Sequence, residues 1–269
     1  MFVPASYLRR VASTPAIAAF KRRSYELLDL SMGSKVLDVG CGPGTDTCAM
    51  GLVVGKSGRV LGIDSDLKMV AEANMAALRA GVAGWTNHCV GQITSLPIES
   101  GRFDACRSER VFQHLTPAAL RTGISEMARV TRGGGRLAAI DTDWGSLSID
   151  STEPGIERRL VGYHINRFPN PYAGKQLYRA MKDQGLVDVT QTSTVLQLDF
   201  ESIQFHLEYS SQLAVGAGVI SPIEAGRWWS NLAGLSSQGK IYAHVVLVMA
   251  TGQAPTSRSD GGRASNSLG

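Results

Sequence analysis

The stretch Lys35-Val36-Leu37-Asp38-Val39-Gly40-Cys41-Gly42-Pro43-Gly44-Thr45 decides the fold of this 269-residue chain. Its first five residues are mostly apolar and β-branched, which indicates a strand buried on both faces. Glycines then follow at three alternate positions, and a loop without Cβ atoms can turn sharply and let a ligand lie against its backbone. Thr45 and Asp46 suit the start of a helix. Strand, glycine loop and helix N-terminus together predict a ligand site at the carboxyl end of a parallel sheet.

The spacing of the glycines separates two classes of cofactor. The dinucleotide fingerprint is G-x-G-x-x-G, whereas this loop has G-x-G-x-G with Asp38 just before it. With these residues the stretch resembles motif I of class I S-adenosylmethionine (SAM)-dependent methyltransferases, of the UbiE or type 11 kind that act on small molecules. The resemblance implies that the loop passes under the methionine part of SAM, with contacts from Asp38, Gly40, Cys41, Gly42 and Gly44. An NAD-binding oxidoreductase, disfavoured by the spacing, and a non-catalytic SAM-binding module are the alternatives.

The composition is that of a globular domain with ample material for a core. Apolar residues make up 43% of the chain and charged residues 19%, both of which are ordinary for such proteins. The net charge of +4 comes without a dense Lys/Arg block, so electrostatics do not indicate nucleic acid as a partner. No apolar run approaches membrane-spanning length. Four cysteines without metal-ligand spacing, and no secretory signal, predict reduced thiols and a cytoplasmic location.

The N-terminal segment is basic and amphipathic. No acidic residue occurs among residues 1–25, a composition that also fits a mitochondrial transit peptide. The pattern continues without a break to Leu30, however, and this continuity predicts a helix over residues 15–30 with Pro15 in its first turn. The resemblance implies that residues 1–30 form lid helices over the cofactor pocket.

A second buried strand over residues 59–64 ends in Asp64, twenty positions after Gly44. In a Rossmann-like unit an acid at this place accepts hydrogen bonds from the ribose hydroxyls of the cofactor. Capping the next helix is the alternative role, which Asp66 could fill instead. The resemblance adds Ser65 to the cofactor site and places Met69 near adenine, although a core methionine is an equally fair interpretation.

Residues 90–104 resemble the adenine-edge motif of the family and its approach to strand four. The family usually has Asp where Gln92 stands, and a glutamine can bond the adenine amino group only without charge. Ile93, Ser108 and Gln113 complete the cofactor contacts that the resemblance implies.

The predicted fold is α/β, a Rossmann-like doubly wound seven-stranded sheet with helical lid insertions. Strands and helices alternate up to a fifth strand over residues 136–140, and an apolar segment at residues 240–251 matches the antiparallel seventh strand typical of the family. One domain over residues 1–252 is predicted. Its parts are the lid helices 1–30, a core 31–145, lid insertions at about 146–173 and 201–238, and a flexible tail 253–269.

The acceptor of the methyl group is predicted to be small and partly apolar. Methyltransferases that act on exocyclic amines of bases carry an Asn/Asp-Pro-Pro-aromatic motif after strand four, where this chain has residues 108–111, Ser-Glu-Arg-Val. O-, C- and N-methylation stay open, with a quinone or a secondary metabolite as acceptor and S-adenosylhomocysteine (SAH) as the second product. The oligomeric state also stays open, with a homodimer among the options.

A hydroxyl or activated-carbon acceptor requires a base to take a proton. His114 follows strand four and Asp141 ends the predicted strand five, and in some small-molecule O-methyltransferases that resemble this chain His and Asp at similar places serve as the base. The alternative for His114 is a helix-start residue that bonds backbone. Other candidate bases are Tyr163, His164, His206 and Tyr209. A metal site of Glu109, Asp141 and Asp143 is conceivable, as in catechol-type enzymes, but no metal is predicted.

Overall fold

A computed structural model describes residues 15–256, so the predictions for residues 1–14 and 257–269 lie outside the described residues. The seven strands are β1 Lys35–Val39, β2 Arg59–Asp64, β3 Thr86–Val90, β4 Phe103–Glu109, β5 Thr131–Ile149, β6 Val187–Gln197 and β7 Ala243–Gln253. They form one sheet in the order β3-β2-β1-β4-β5-β7-β6. Strands β1 to β5 are parallel, and β7 runs antiparallel between β5 and β6. The predicted doubly wound seven-stranded sheet is confirmed.

Eight helices flank this sheet in the described part of the chain: α1 Pro15–Leu27, α2 Thr45–Val54, α3 Leu67–Arg79, α4 Pro117–Val130, α5 Pro154–Ile165, α6 Ala173–Asp183, α7 Phe200–Gly216 and α8 Pro222–Ser237. A short 3₁₀ turn, Phe112–His114, joins β4 to α4. Thr116 caps α4 ahead of its proline, as that pair of residues predicts. Helix α1 ends three residues before the predicted Leu30, because Asp29 takes a positive φ of 54° and turns the chain toward β1.

Strand β5 is longer than the predicted residues 136–140 because it has two different partners. It pairs with β4 in parallel as far as Ile140, and with β7 in antiparallel fashion as far as Ile149. Asp141 is therefore not the end of the strand, as predicted, but the first residue beyond the pairing with β4. Strand β7 likewise runs on to Gln253, so the sheet extends into the segment predicted as a tail.

Residues 15–256 contain four hydrophobic clusters, of which the two largest are called here the first core and the second core. The first packs α4 and α6 against the parallel strands and includes Leu37, Ile63, Phe112, Met127 and Met181. The second joins α5, α7 and α8 to the far ends of β5 and β7 around the fully buried Trp228. Most residues of the second core come from the segments predicted as lid insertions, residues 146–173 and 201–238. None of the helices between residues 15 and 256 is both long and apolar enough to cross a membrane.

Candidate active site

The glycine loop after β1 forms one wall of a cavity of about 830 Å³. Gly40, Gly42 and Gly44 have φ angles of 76°, 53° and 81°, which residues with side chains rarely adopt. A Cβ atom at Gly40 or Gly44 would collide with the neighbouring Val111 or Ala73, but at Gly42 it would meet no atom within 4 Å. The backbone at Gly42 is therefore open on the side where a ligand can lie against it.

Asp64 ends β2 on the opposite side of this loop. One carboxylate oxygen accepts the N–H of Gly42 at 2.8 Å and the other accepts the N–H of Asp66 at 3.0 Å. Asp66 caps α3 by accepting the N–H of Lys68 at 2.8 Å. Because Asp66 performs the capping role, the half-buried carboxylate of Asp64 retains lone pairs for a ligand in the cavity.

Five buried charged side chains lie beside the glycine loop and are called here the ionic cluster: Lys21, Asp38, Asp46, Arg107 and Glu109. Lys21 of α1 contacts Asp46 at 2.6 Å and Glu109 at 3.1 Å. Arg107, in the middle of β4, lies 3.4 Å from both Asp38 and Asp46 and donates to Glu109. The ionic cluster thus ties α1 to β1, α2 and β4.

The charges within the ionic cluster set opposite pKa shifts on its two aspartates. Burial pushes the pKa of Asp46 upward, but Arg107 and Lys21 together outweigh burial and hold that pKa below its ordinary value. For Asp38, burial outweighs the attraction of Arg107 and raises the pKa to about 7. Tyr25, also on α1, donates its hydroxyl to Asp46. Buried Arg and Asp side chains are rarely found unpaired. Each Arg and Asp of the ionic cluster has a partner of opposite charge within the cluster.

Aromatic rings line the other end of the cavity, called here the aromatic end: Trp144 of β5, Phe168 after α5, Phe205 and His206 of α7, and His114 of the 3₁₀ turn. Trp144 and Phe168 stack with ring centroids 4.9 Å apart and an interplanar angle of 17°. His206 lies edge-on to Trp144 at 4.8 Å. Burial lowers the pKa of His206 to about 3, and burial and Arg110 also lower the pKa of His114. These shifts favour the neutral form of both imidazoles, so the aromatic end suits an uncharged or weakly polar ring.

A chain of hydrogen bonds fixes the amide of Gln113 in the wall of the aromatic end. Trp144 donates its indole N–H to Gln113 Oε1 at 2.7 Å. The Gln113 amide nitrogen lies 3.4 Å from the carbonyl oxygen of Arg110 and 3.1 Å from Nε2 of His114. His114 itself is exposed to the cavity.

The structure gathers most of the predicted site residues around this one cavity. The predicted residues that line it are Gly40, Cys41, Gly42, Asp64, Ser65, Met69, Gln92, Ile93, Gln113, His114 and His206. The predicted residues that do not line it are Asp38, Gly44, Ser108, Asp141, Tyr163 and His164. Asp38 stands behind the loop in the ionic cluster, Gly44 packs on α3, and Ser108 is fully buried in β4.

Asp141, one of the candidate bases, lies fully buried beneath the 3₁₀ turn. Its carboxylate accepts the backbone N–H groups of Gln113 at 3.2 Å and Thr142 at 2.8 Å. Burial raises its pKa to about 7 although these donors favour the charged form. This geometry supports a structural role for Asp141 in holding the turn, and not direct contact with an acceptor.

Three other candidate bases do not line the cavity: Tyr163 and His164 lie at the second core, and Tyr209 is 54% exposed with the Arg167 guanidinium 5.1 Å above its ring. His164 is 1% exposed, its Nδ1 lies 2.8 Å from the hydroxyl of Ser210, and burial lowers its pKa to about 4. Tyr163 packs against the same core. Glu109, Asp141 and Asp143 do not converge on a metal site, and residues 15–256 contain no group of three or more His, Cys, Asp or Glu side chains that could hold a metal ion.

The ionic cluster as a unit and Trp144 were not predicted as parts of the site, whereas Phe168 and Phe205 lie in the two segments predicted as lid insertions. Arg107 offered a signal, since a cation between Cys106 and Ser108 in a buried strand must find partners. Trp144 offered none, because its contact with Phe168 depends on how the segment after β5 folds back on that strand.

Fold and site together define a class of protein, an α/β enzyme that binds a nucleoside cofactor across the carboxyl ends of β1 and β2. A family model described as a methyltransferase domain matches residues 36–135. The chain is 33% identical over 258 residues to an uncharacterised 37.1 kDa protein in a transposon of Streptomyces fradiae, a match that covers 93% of this chain and 71% of the relative.

Two further proteins are similar to this chain and agree with the match to the methyltransferase-domain family model. A demethylmenaquinone methyltransferase of Beutenbergia cavernae is 30% identical over 155 residues, 57% of each chain, so the match spans little more than half of that relative. The crystal structure of the YcgJ protein of Bacillus subtilis has the same fold, with a TM-score of 0.62 at 16% identity over 88% of this chain and 99% of that one. The chain belongs to the class I SAM-dependent methyltransferases.

Proposed function

We propose that this chain transfers the methyl group of SAM to a small, largely apolar ring compound bound at the aromatic end. The observation that carries the proposal is the continuity of one cavity, which reaches from the glycine loop and Asp64 to Trp144 and Phe168. Such a cavity can hold a nucleoside cofactor and an organic acceptor end to end.

The cavity-lining residues fit the three parts of SAM. Asp64 is suited to accept the ribose hydroxyls, and Met69 and Ile93 supply apolar contacts for adenine. Lys21 and Asp46 offer one charge of each sign, which matches the carboxylate and ammonium of the methionine part. The open backbone at Gly42 leaves room for the chain between them.

SAM supplies an electrophilic methyl group on a positively charged sulfur. Transfer is an in-line displacement, so the protein's main task is to hold the acceptor atom close to that methyl group and in line with the bond that breaks. The stacked Trp144 and Phe168 and the edge-on His206 provide flat apolar surfaces for a ring. The similarity to a demethylmenaquinone methyltransferase supports a quinol-type ring among the candidates.

Calorimetry with SAH and with NAD tests the cofactor assignment. We expect SAH to bind and NAD to give no heat. Binding of NAD instead of SAH would support the oxidoreductase hypothesis.

Transfer of radiolabelled methyl from SAM to a panel of naphthols, naphthoquinols and aromatic amines tests the activity. Tight SAH binding without methyl transfer to any acceptor class would favour the non-catalytic SAM-binding module. The cytoplasmic location and the oligomeric state stay predictions.

A further inference from the structure

The Gln113 amide can adopt only one orientation in the wall of the aromatic end. Its oxygen must face Trp144, because an indole N–H only donates. Its NH₂ group must face the carbonyl oxygen of Arg110, because a carbonyl only accepts. The Trp144 donor and the Arg110 acceptor therefore require the same orientation of the Gln113 amide.

This orientation determines which nitrogen of His114 carries the proton. The Gln113 NH₂ group lies 3.1 Å from His114 Nε2 and can only donate to it, so Nε2 must offer its lone pair. A neutral imidazole with a lone pair on Nε2 has its proton on Nδ1. Protonating the ring would set two N–H groups against each other, which acts in the same direction as the burial and the Arg110 charge that lower the pKa of His114.

We propose that His114 donates a hydrogen bond from Nδ1–H to an oxygen atom of the acceptor and does not act as the base. The proposal rests on the proposed function for the existence of the acceptor. Within the part of the chain that the structure describes, Gln113 holds Nε2, which leaves Nδ1–H as the donor available to a ligand in the cavity. The acceptor class is therefore an apolar ring that carries a phenolic, enolic or carbonyl oxygen.

The proposal also specifies the state in which a phenol or enol reacts. Because His114 is not a base, the phenol or enol loses its proton to water before methyl transfer. The Nδ1–H group of His114 then stabilises the resulting anion. The anion's electron pair forms the bond to the methyl carbon while the C–S bonding pair stays on sulfur. One positive and one negative charge thereby give two neutral products, the methylated ring and the neutral thioether of SAH.

Long-range ¹H–¹⁵N correlation spectra of the full chain saturated with SAH test the tautomer directly. The five histidines give five patterns, and His114 is assigned by its loss in His114→Asn. We expect the Nδ1–H tautomer in the wild type at neutral pH. An Nε2–H tautomer or an imidazolium there would overturn the proposal. The same spectra of the protein without SAH give an answer even if the proposed function is wrong, since they require neither cofactor nor acceptor.

Gln113→Glu reverses the hydrogen bond without changing the shape of the side chain. A carboxylate accepts from both Trp144 and His114, so His114 must then carry a proton on Nε2. We expect its pattern to change to the Nε2–H tautomer or the imidazolium, while the other four histidines keep theirs. With the new carboxyl shown to be ionised by its ¹³C shift, an unchanged His114 pattern in the folded variant would show that Gln113 does not set the tautomer and would contradict the proposal.

Donation to oxygen is tested with 1-naphthol as probe and naphthalene as the matched ring without oxygen, both in the presence of SAH. Because the side-chain nitrogen of Asn can stand where Nδ1 stands, His114→Asn retains a donor and His114→Leu does not. We expect His114→Leu to weaken 1-naphthol binding by about three- to tenfold, the usual worth of one neutral hydrogen bond, with naphthalene unaffected and His114→Asn restored. Equal losses for both probes, or no rescue by Asn, would overturn the donor role.

Discussion

At the scale of single residues, the Asp64 carboxylate accepts two backbone N–H groups and also faces the cavity. The two donors are the N–H groups of Gly42 and Asp66. We expect Asp64→Ala to weaken SAH binding by about 1.5 to 3 kcal/mol, the worth of hydrogen bonds to a charged group. Isothermal calorimetry measures the loss.

Asp66→Ala is the matched control for that prediction. It removes the cap of α3, so it should lower the free energy of unfolding by about 1 kcal/mol. Asp66 also lines the cavity, but its carboxylate is engaged by the Lys68 N–H, so SAH affinity should change much less than in Asp64→Ala. If Asp64→Ala, still folded, binds SAH as tightly as the wild type, Asp64 is only a support for the loop.

Gly42 and Gly81 form a second matched pair. Both have positive φ angles, 53° and 71°, and neither has an atom within 4 Å of the Cβ position. A left-handed backbone costs a residue with a side chain about 1 to 2 kcal/mol, so Gly42→Val and Gly81→Val should lower the unfolding free energy alike. Only Gly42 lines the cavity, so only Gly42→Val should abolish SAH binding in a titration. Retained tight binding would place the cofactor elsewhere.

Local residue types made the glycine loop predictable, while long-range contacts hid other parts of the site. Three alternate glycines have the same meaning in any α/β context, and the structure gives all three the positive φ angles that glycine tolerates. The prediction that Asp141 reaches the acceptor depends on its being the last residue of a strand. The length of β5 is instead set by its pairing with β7, about a hundred residues later. No local pattern carries that information.

At the scale of elements, Lys21 secures α1 to the rest of the molecule. Its ammonium group lies between the carboxylates of Asp46 and Glu109 and is nearly inaccessible to solvent. Lys21→Met leaves two buried carboxylates with less compensation, and breaking a buried pair in this way costs about 3 to 5 kcal/mol. We expect faster hydrogen exchange across α1 and a lower free energy of unfolding in urea.

Arg23→Ala supplies the comparison on the same helix. Arg23 pairs with Glu26 at the surface, where both side chains are more than half exposed, and such pairs contribute about 0 to 1 kcal/mol. If Lys21→Met and Arg23→Ala had equally small effects on exchange in α1, the ionic cluster would not be what fastens this helix.

At the scale of the whole molecule, the free energy of unfolding should depend on pH through two buried groups whose pKa values shift in opposite directions. Asp141 has a folded-state pKa of about 7 against an ordinary 3.8, and His88 has about 4 against 6.5, in both cases because burial disfavours the charge. Between these limits the folded protein keeps the Asp141 proton that the unfolded chain has released. Over a similar range it excludes the His88 proton that the unfolded chain has bound.

These differences fix the direction of each contribution. The stabilisation from protonated Asp141 is complete below pH 3.8 and is lost as the pH rises through about 7. The stabilisation from neutral His88 is complete above pH 6.5 and is lost as the pH falls toward about 4. Each proton changes the unfolding free energy by about 1.4 kcal/mol per pH unit while the two states differ in binding it.

Asp141→Asn and His88→Phe separate the two contributions when urea unfolding is measured from pH 4 to 8. Asn cannot ionise, so the stability of the wild type relative to Asp141→Asn should fall as the pH rises. Phe cannot ionise either, so the stability relative to His88→Phe should rise with pH over the lower part of the same range. Subtracting the stability of each variant from that of the wild type cancels the contribution of every group that the two proteins share. Two slopes of the same sign would mean that burial of one of these residues does not control its proton in the folded state.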